Sequence, residues 1–185
     1  MHTHFHSKRI LYDGSQMVAQ WAYRKFGLAG DSIVAFEGPC RVRPARMLDL
    51  EDLAKRSRIA GPHMLHWIVE HFDRDLERAV LRQRLLASIV GGALEARLER
   101  PLRRDGDDLY DGPRKLSISI AAPTLVSCKI HFAINVRRAT GVGVPTEGIA
   151  TYRIDPRSFA DEILRAYAAE MLGVTEARVK ARGVP

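Results

Sequence analysis

Thiols are scarce: Cys40 and Cys128 are the two cysteines in 185 residues. Neither stands in a C-x-x-C pair, which excludes a disulfide framework and a thiolate zinc site; each reads as a small buried hydrophobe. No apolar run approaches the roughly 20 residues that a membrane helix needs. The opening Met1-His2-Thr3-His4-Phe5-His6-Ser7-Lys8-Arg9 lacks the continuous apolar core of a signal peptide, so a cytoplasmic location is expected. Repeats, low-complexity tracts and linkers are missing, which leads to one domain over residues 1–185, long enough to bury a core without staples. Acidic residues are in short supply, 22 against 29 basic ones, for a net charge of +7 and a pI near 9.8. That surplus could serve RNA or an acidic protein, but it is also an ordinary solvated surface, and no nucleic-acid motif accompanies it.

What is present reads as strands in pairs with helices between them. Phe5 to Tyr12 is a strand closed by Asp13-Gly14, and Ser15 caps a helix running through Phe26. Ser32 to Phe36 is a strand, Glu37-Gly38-Pro39 a turn, and Cys40 to Arg43 a short strand. Leu48 to Arg56 is a short helix whose acidic start suits its positive end. Met64 to Phe72 fits either period; Gly61-Pro62 before it and the long helix soon after favour a strand. Leu76 to Arg97 carries the clearest helical stripe, with Gly91-Gly92 a place for it to end or kink. Lys115 to Ala121 and Ser127 to Val136 form an antiparallel hairpin. Thr151 to Ile154 adds a strand, and Asp155-Pro156 starts a last helix through Leu172, with a frayed tail after Gly173. Such an order gives an α+β layer fold, a mixed or antiparallel sheet packed by helices.

The hairpin carries the chemistry. Alternation puts Leu116, Ile118 and Ile120 on one face with Ile130, Phe132, Ile134 and Val136, against the helices. The other face then holds Lys115, Ser117, Ser119, Lys129, His131, Ala133 and Asn135. Small polar groups flanked by cations make either a pocket floor or a plain solvated face.

Gly106-Asp107-Asp108-Leu109, the Gly112 turn, Arg114-Lys115-Leu116 and His131-Phe132-Ala133-Ile134-Asn135-Val136 resemble the lipoate ligase, octanoyltransferase and biotin ligase superfamily. Its members typically carry Asn-Asp-Leu, then Gly-Lys-Lys-Ile or Arg-Lys-Ile, then a strand ending in Asn-Val. Phe5-His6-Ser7-Lys8-Arg9-Ile10, Asp13-Gly14-Ser15-Gln16 and Trp21-Ala22-Tyr23 resemble the prokaryotic family called domain of unknown function 366. The resemblance implies a class II synthetase-like catalytic domain, with Lys115 holding the carbonyl of an acyl group or acyl-adenylate, where a fixed ammonium favours developing negative charge. Departures are equally plain. Lys55-Arg56-Ser57-Arg58-Ile59-Ala60-Gly61-Pro62 stands where ligases have a glycine-rich phosphate loop, so adenylation lacks its backbone cradle. Val144-Pro145-Thr146-Glu147-Gly148-Ile149 stands where octanoyltransferases have their cysteine, and Thr146 is a poor substitute.

His2, His4 and His6 share a strand face, but no spacing specifies a second ligand set, so no metal site is expected. His66 and His131, on central strands, are candidates for a general base or for satisfied core histidines. The first functional expectation is a small carboxylate, acyl or nucleotide ligand over the sheet. Lys115 and His131 would be catalytic, with Asp108, Ser117, Ser119, Asn135, His66, Lys55, Arg56 and Arg58 contacting the ligand. The second is a non-catalytic RNA- or protein-binding module on the same scaffold. No cofactor is specified.

Overall fold

The computed structural model describes residues 1–184. In chain order its elements are β1 (His2–His6), α1 (Trp21–Phe26), β2 (Ser32–Arg41), α2 (Leu50–Ala54), β3 (Ala60–His71) and α3 (Leu76–Leu98). After these come β4 (Arg103–Asp105), β5 (Asp108–Asp111), β6 (Arg114–Lys115), β7 (Ser117–Pro123), β8 (Cys128–Asn135) and α4 (Pro156–Lys180). One sheet has the order β1-β2-β3-β8-β7, and a small one has β4-β5-β6. β1 runs parallel to β2, and the other large-sheet pairs are antiparallel. This is the α+β, mixed-sheet class expected.

The period of two divides the large sheet between two layers. Ile33, Ala35, Leu65, Trp67, Val69, Ile130, Phe132 and Ile134 lie fully buried beneath Leu86 and Val90 of α3 and Phe159, Ile163 and Tyr167 of α4. Phe36, Met64, Ile68 and Ala133 face the other way, under Tyr12 and Met17. Sheet amphipathicity thus places the two long helices on one side and leaves the other to α1, α2 and the loops.

Several expectations change. β7 reverses its faces: Ile118 and Ile120 align with Ala133 and His131, while Ser117 and Ser119 align with Ile134 and Phe132. The cause is a break between β6 and β7. Leu116 donates its N–H to Leu109 O at 2.8 Å and enters the helix-side core, so an alternation counted from Leu116 runs one residue out of phase. The helix expected from Ser15 splits into a 3-10 turn at Ser15–Met17 and α1, because Gln20 takes φ 61° and gives its N–H to the buried Glu70 carboxylate at 2.7 Å. Glu37-Gly38-Pro39 is no turn; it lies within β2, at a register shift between Gly38 and Cys40. β1 ends at His6, and Tyr12 makes an isolated bridge with Cys40. No strand forms over Thr151 to Ile154: Thr151 and Tyr152 close a 3-10 turn (Ile149–Tyr152) that ends on Arg153 at φ 58°. α3 continues through Gly91, whose missing side chain lets Leu109 pack close; a Cβ there would lie 3.2 Å from Leu109 Cδ2. α4 continues past Gly173 to Lys180.

The small sheet is tied to the rest through Asp111, which accepts hydrogen bonds from Arg100 and from the Tyr152 hydroxyl. Arg100 donating to it holds the Asp111 carboxyl down at about 2.

Candidate functional site

A cleft opens on the sheet face away from α3 and α4. Its main chamber, about 300 Å³, has Ile118, Ile120 and His131 as floor. Tyr12 closes one side, the Asp107-Asp108 corner and Lys115 another. The segment from Arg46 to Lys55, including α2, makes the outer wall. A narrower chamber of about 170 Å³ adjoins it, lined by Ile59, Ala60, Met64, Val142 and Val144 with Ser117, Asn135 and Thr146. Both chambers are bounded by Asp52, Ile59, Lys115 and Ile118, so Lys115 stands at the waist between them.

The backbone of Lys115 is fixed on both sides: its N–H donates to Pro145 O at 2.9 Å, and its O accepts the Glu147 N–H at 3.1 Å. Its Nζ reaches Asp108 Oδ2 at 2.6 Å, and its side chain is only 23% exposed. An ammonium has three N–H donors, so two remain after Asp108 is met. Burial raises the Asp108 carboxyl, with Lys115 opposing; burial and then neighbouring Asp108 raise Asp107. Asp107 Oδ2 accepts from Gln83 Nε2 at 2.7 Å, and the same nitrogen reaches Ser119 Oγ at 2.8 Å.

His66 and His131 form a buried pair. His66 Nε2 lies 3.2 Å from Gly38 O, and its Nδ1 lies 3.1 Å from His131 Nε2. A carbonyl can only accept, so His66 carries its proton on Nε2 and accepts at Nδ1 from the His131 Nε2–H. Tyr12 stacks on His131 with ring centroids 3.6 Å apart, and Phe36 lies 5.0 Å from the His66 ring. Burial drives His66 down to about 3 and His131 well below its ordinary value. Burial thus favours the neutral form of both rings, with His66 Nδ1 and His131 Nε2 committed to each other. His66 lies sealed beneath Tyr12 and Phe36, away from the chambers. An unfolded histidine takes its proton near pH 6.5, whereas these take theirs far lower, so stability falls as pH drops below about 6.5. Imidazole nitrogen NMR is expected to find both rings neutral at pH 5; a titration midpoint near 6 for either would contradict the buried pair.

The remaining expected ligand contacts divide. Ser117 is fully buried and accepts the Leu109 N–H at 2.8 Å; Ser119 Oγ donates to His131 O at 2.8 Å. Both serve strand joints, as the reversed face of β7 requires. Asn135 Nδ2 donates to Lys115 O at 3.4 Å beside the narrow chamber. Lys55 lines the main chamber with its Nζ on Glu51, Arg56 borders a separate hollow next to Leu53, and Arg58 reaches the narrow chamber. These three cations diverge, so no single phosphate cradle forms from them. Thr146 Oγ1 donates to Ala139 O at 2.8 Å and accepts the Ala139 N–H at 2.9 Å, pinning the loop that roofs the narrow chamber.

Sequence reasoning missed Tyr12, Asp107 and the acidic stretch Asp49, Glu51 and Asp52. Asp107 had a visible signal, an Asp where the resemblance has Asn. The His2, His4 and His6 stripe shares one sheet face through its register with Ser32, Val34 and Phe36. Among the described residues, no group of three or more His, Cys, Asp or Glu side chains is placed to hold a metal ion. Nor is any described helix long and apolar enough to cross a membrane.

Residues 1–182 match the family described as domain of unknown function (DUF366). The chain belongs to that family. An uncharacterised protein of Methanocaldococcus jannaschii is 38% identical over 173 residues, 90% of this chain and 78% of that one. The solved structure of a protein of unknown function from Pyrococcus horikoshi is 39% identical and superimposes with a TM-score of 0.92, covering 99% of this chain and 100% of that one. Biotin protein ligase from Aquifex aeolicus, solved with biotin and ATP, has a TM-score of 0.62 at 12% identity, over 90% of this chain and 69% of that one. At that identity the likeness establishes the fold: this member of the family has the architecture of ligase catalytic domains.

Proposed function

We propose that the cleft binds a small acyl or carboxylate ligand, with its carbonyl on Lys115 and its apolar portion in the narrow chamber. One observation carries this reading. Lys115 is the cation at the waist of a two-chambered cleft, mostly enclosed, held by its backbone and by Asp108, with N–H donors left for an oxygen. Aliphatic side chains make up much of the narrow chamber, which suits a hydrocarbon segment. Acyl transfer is the reaction class such an ammonium supports, because it favours charge developing on the carbonyl oxygen. The divergence of Lys55, Arg56 and Arg58 favours a ligand that is not a nucleotide triphosphate.

A thermal-shift screen with lipoate, octanoate, biotin and ATP tests it. One of the acyl compounds is expected to stabilise the protein, and Lys115→Met to weaken its binding at least about ten-fold, the worth of a lost charge-assisted hydrogen bond. Equal stabilisation of wild type and Lys115→Met would defeat the assignment. For the alternative of an RNA-binding module, four of the arginines are already neutralised: Arg82 pairs with Asp73, Arg97 with Glu162, Arg100 with Asp111 and Arg157 with Asp161.

A further inference from the structure

The main chamber has a sign opposite to that of the protein. Asp49, Glu51, Asp52, Asp107 and Asp108 face Arg46, Lys55 and Lys115, five carboxylates against three cations, within a chain of net charge +7. Each cation is already committed. Arg46 pairs with Asp13 at 3.0 Å, Lys55 with Glu51, and Lys115 with Asp108. Asp49 caps α2 through the N–H groups of Glu51 and Asp52. Asp52 and Asp107 form no close ion pair among the described residues, although Arg84 and Lys115 lie near enough to Asp107 to favour its charge.

A second, independent feature lies on the floor. His131 is 2% exposed and lines this chamber. The chain of hydrogen bonds from Gly38 O through His66 puts its proton on Nε2, which leaves Nδ1 a bare lone pair. That Nδ1 has no hydrogen-bond partner among the described residues. Unlike the sealed Trp67 Nε1, this nitrogen is not cut off from solvent, so it offers a ligand's donor an accessible acceptor on the chamber floor. Tyr12, stacked on the same ring, adds an aromatic wall suited to a cation.

We infer that the main chamber takes a ligand group bearing a positively charged nitrogen with N–H donors, an ammonium or amidinium, placed between Asp107 and His131 Nδ1. Phosphate or a second carboxylate is disfavoured there by the same charges. The inference rests on the cleft being a ligand site, and it assigns the chamber that the acyl portion leaves empty.

Binding of hexylamine to the full chain, followed by imidazole nitrogen NMR and calorimetry, tests it. Hexylamine is expected to shift the His131 Nδ1 resonance. Asp107→Asn, which keeps an oxygen for Gln83, is expected to weaken its binding about ten-fold with the unfolding midpoint unchanged. Nα-acetyl-lysine methylamide, run in parallel, distinguishes a peptide-borne lysine from a free amine: tighter binding than hexylamine assigns the former, weaker the latter. An unmoved Nδ1 resonance, or Asp107→Asn binding as the wild type does, would overturn the inference. Octanoate serves as the control for the underlying reading. If octanoate binds in a Lys115-dependent way while hexylamine does not, the amine assignment alone fails; if neither binds, both fail.

Discussion

Lys129→Met is expected to lower the free energy of unfolding by about 3–5 kcal/mol, the usual penalty for stranding one partner of a buried ion pair. Lys129 is 0% and Glu70 1% exposed, with Nζ 2.9 Å from Oε2. Glu70 is satisfied on its other oxygen by the Ser127 hydroxyl and the Gln20 N–H, each at 2.7 Å. Removing the ammonium leaves a carboxylate in a dry place, and the chain must either protonate it or admit water. The pair joins β3 to β8 and also fixes the break before α1, so its loss reaches the entry to the cleft face. Urea unfolding of Lys129→Met and of Lys129→Met with Glu70→Gln checks this. The double variant is expected to recover much of the loss, since glutamine still accepts from Ser127 and Gln20. A single-variant loss under about 1 kcal/mol would show the pair to be dispensable.

Gly38→Ala is expected to destabilise by about 3 kcal/mol or more, above the common range for overpacking, because the obstacle is backbone. A Cβ on Gly38 would fall 1.8 Å from Ile10 O and 2.7 Å from Ile10 C. The strap from Ile10 to Tyr12 is laced to β2 there, with Ile10 N–H on Glu37 O at 3.0 Å and Tyr12 N–H on Pro39 O at 2.9 Å. Pushing the strap outward lifts Tyr12 off His131, so ligand binding in the cleft is expected to fall along with stability. Gly92→Ala is the matched control. Nothing lies within 4 Å of its Cβ position in α3, so alanine there is expected to stabilise by up to about 1 kcal/mol. Similar outcomes for the two substitutions would remove the steric argument.

Some of this was legible in the residues and some was not, for reasons that can be named. β8 and α3 read correctly because each keeps one period over many residues, and each buries its apolar stripe as that period predicts. β7 did not, because its phase is set by the Leu116 break, which depends on Leu109 and Asn135 from other strands. The split before α1 is decided by Glu70, far away in the chain, which no local pattern exposes. The small sheet is too short and polar to signal itself, with β4 exposed throughout. At the site, Lys115 was named from its motif, whereas the acidic character of the chamber emerges only once each cation is traced to its partner.

The outer wall has a neck. The segment from Arg43 to Arg58 leaves and rejoins the sheet at one point, where Val42 N–H donates to Ile59 O at 3.1 Å. It supplies Arg46, Met47, Leu48, Asp49, Glu51, Asp52 and Lys55 to the main chamber, yet none of these residues belongs to the large sheet. Lengthening or rewriting such a closed loop costs little chain entropy. The outer wall is therefore an exchangeable cassette: a graft between Val42 and Ile59 is expected to reshape that wall while leaving Asp107, Lys115, His131 and the core in place.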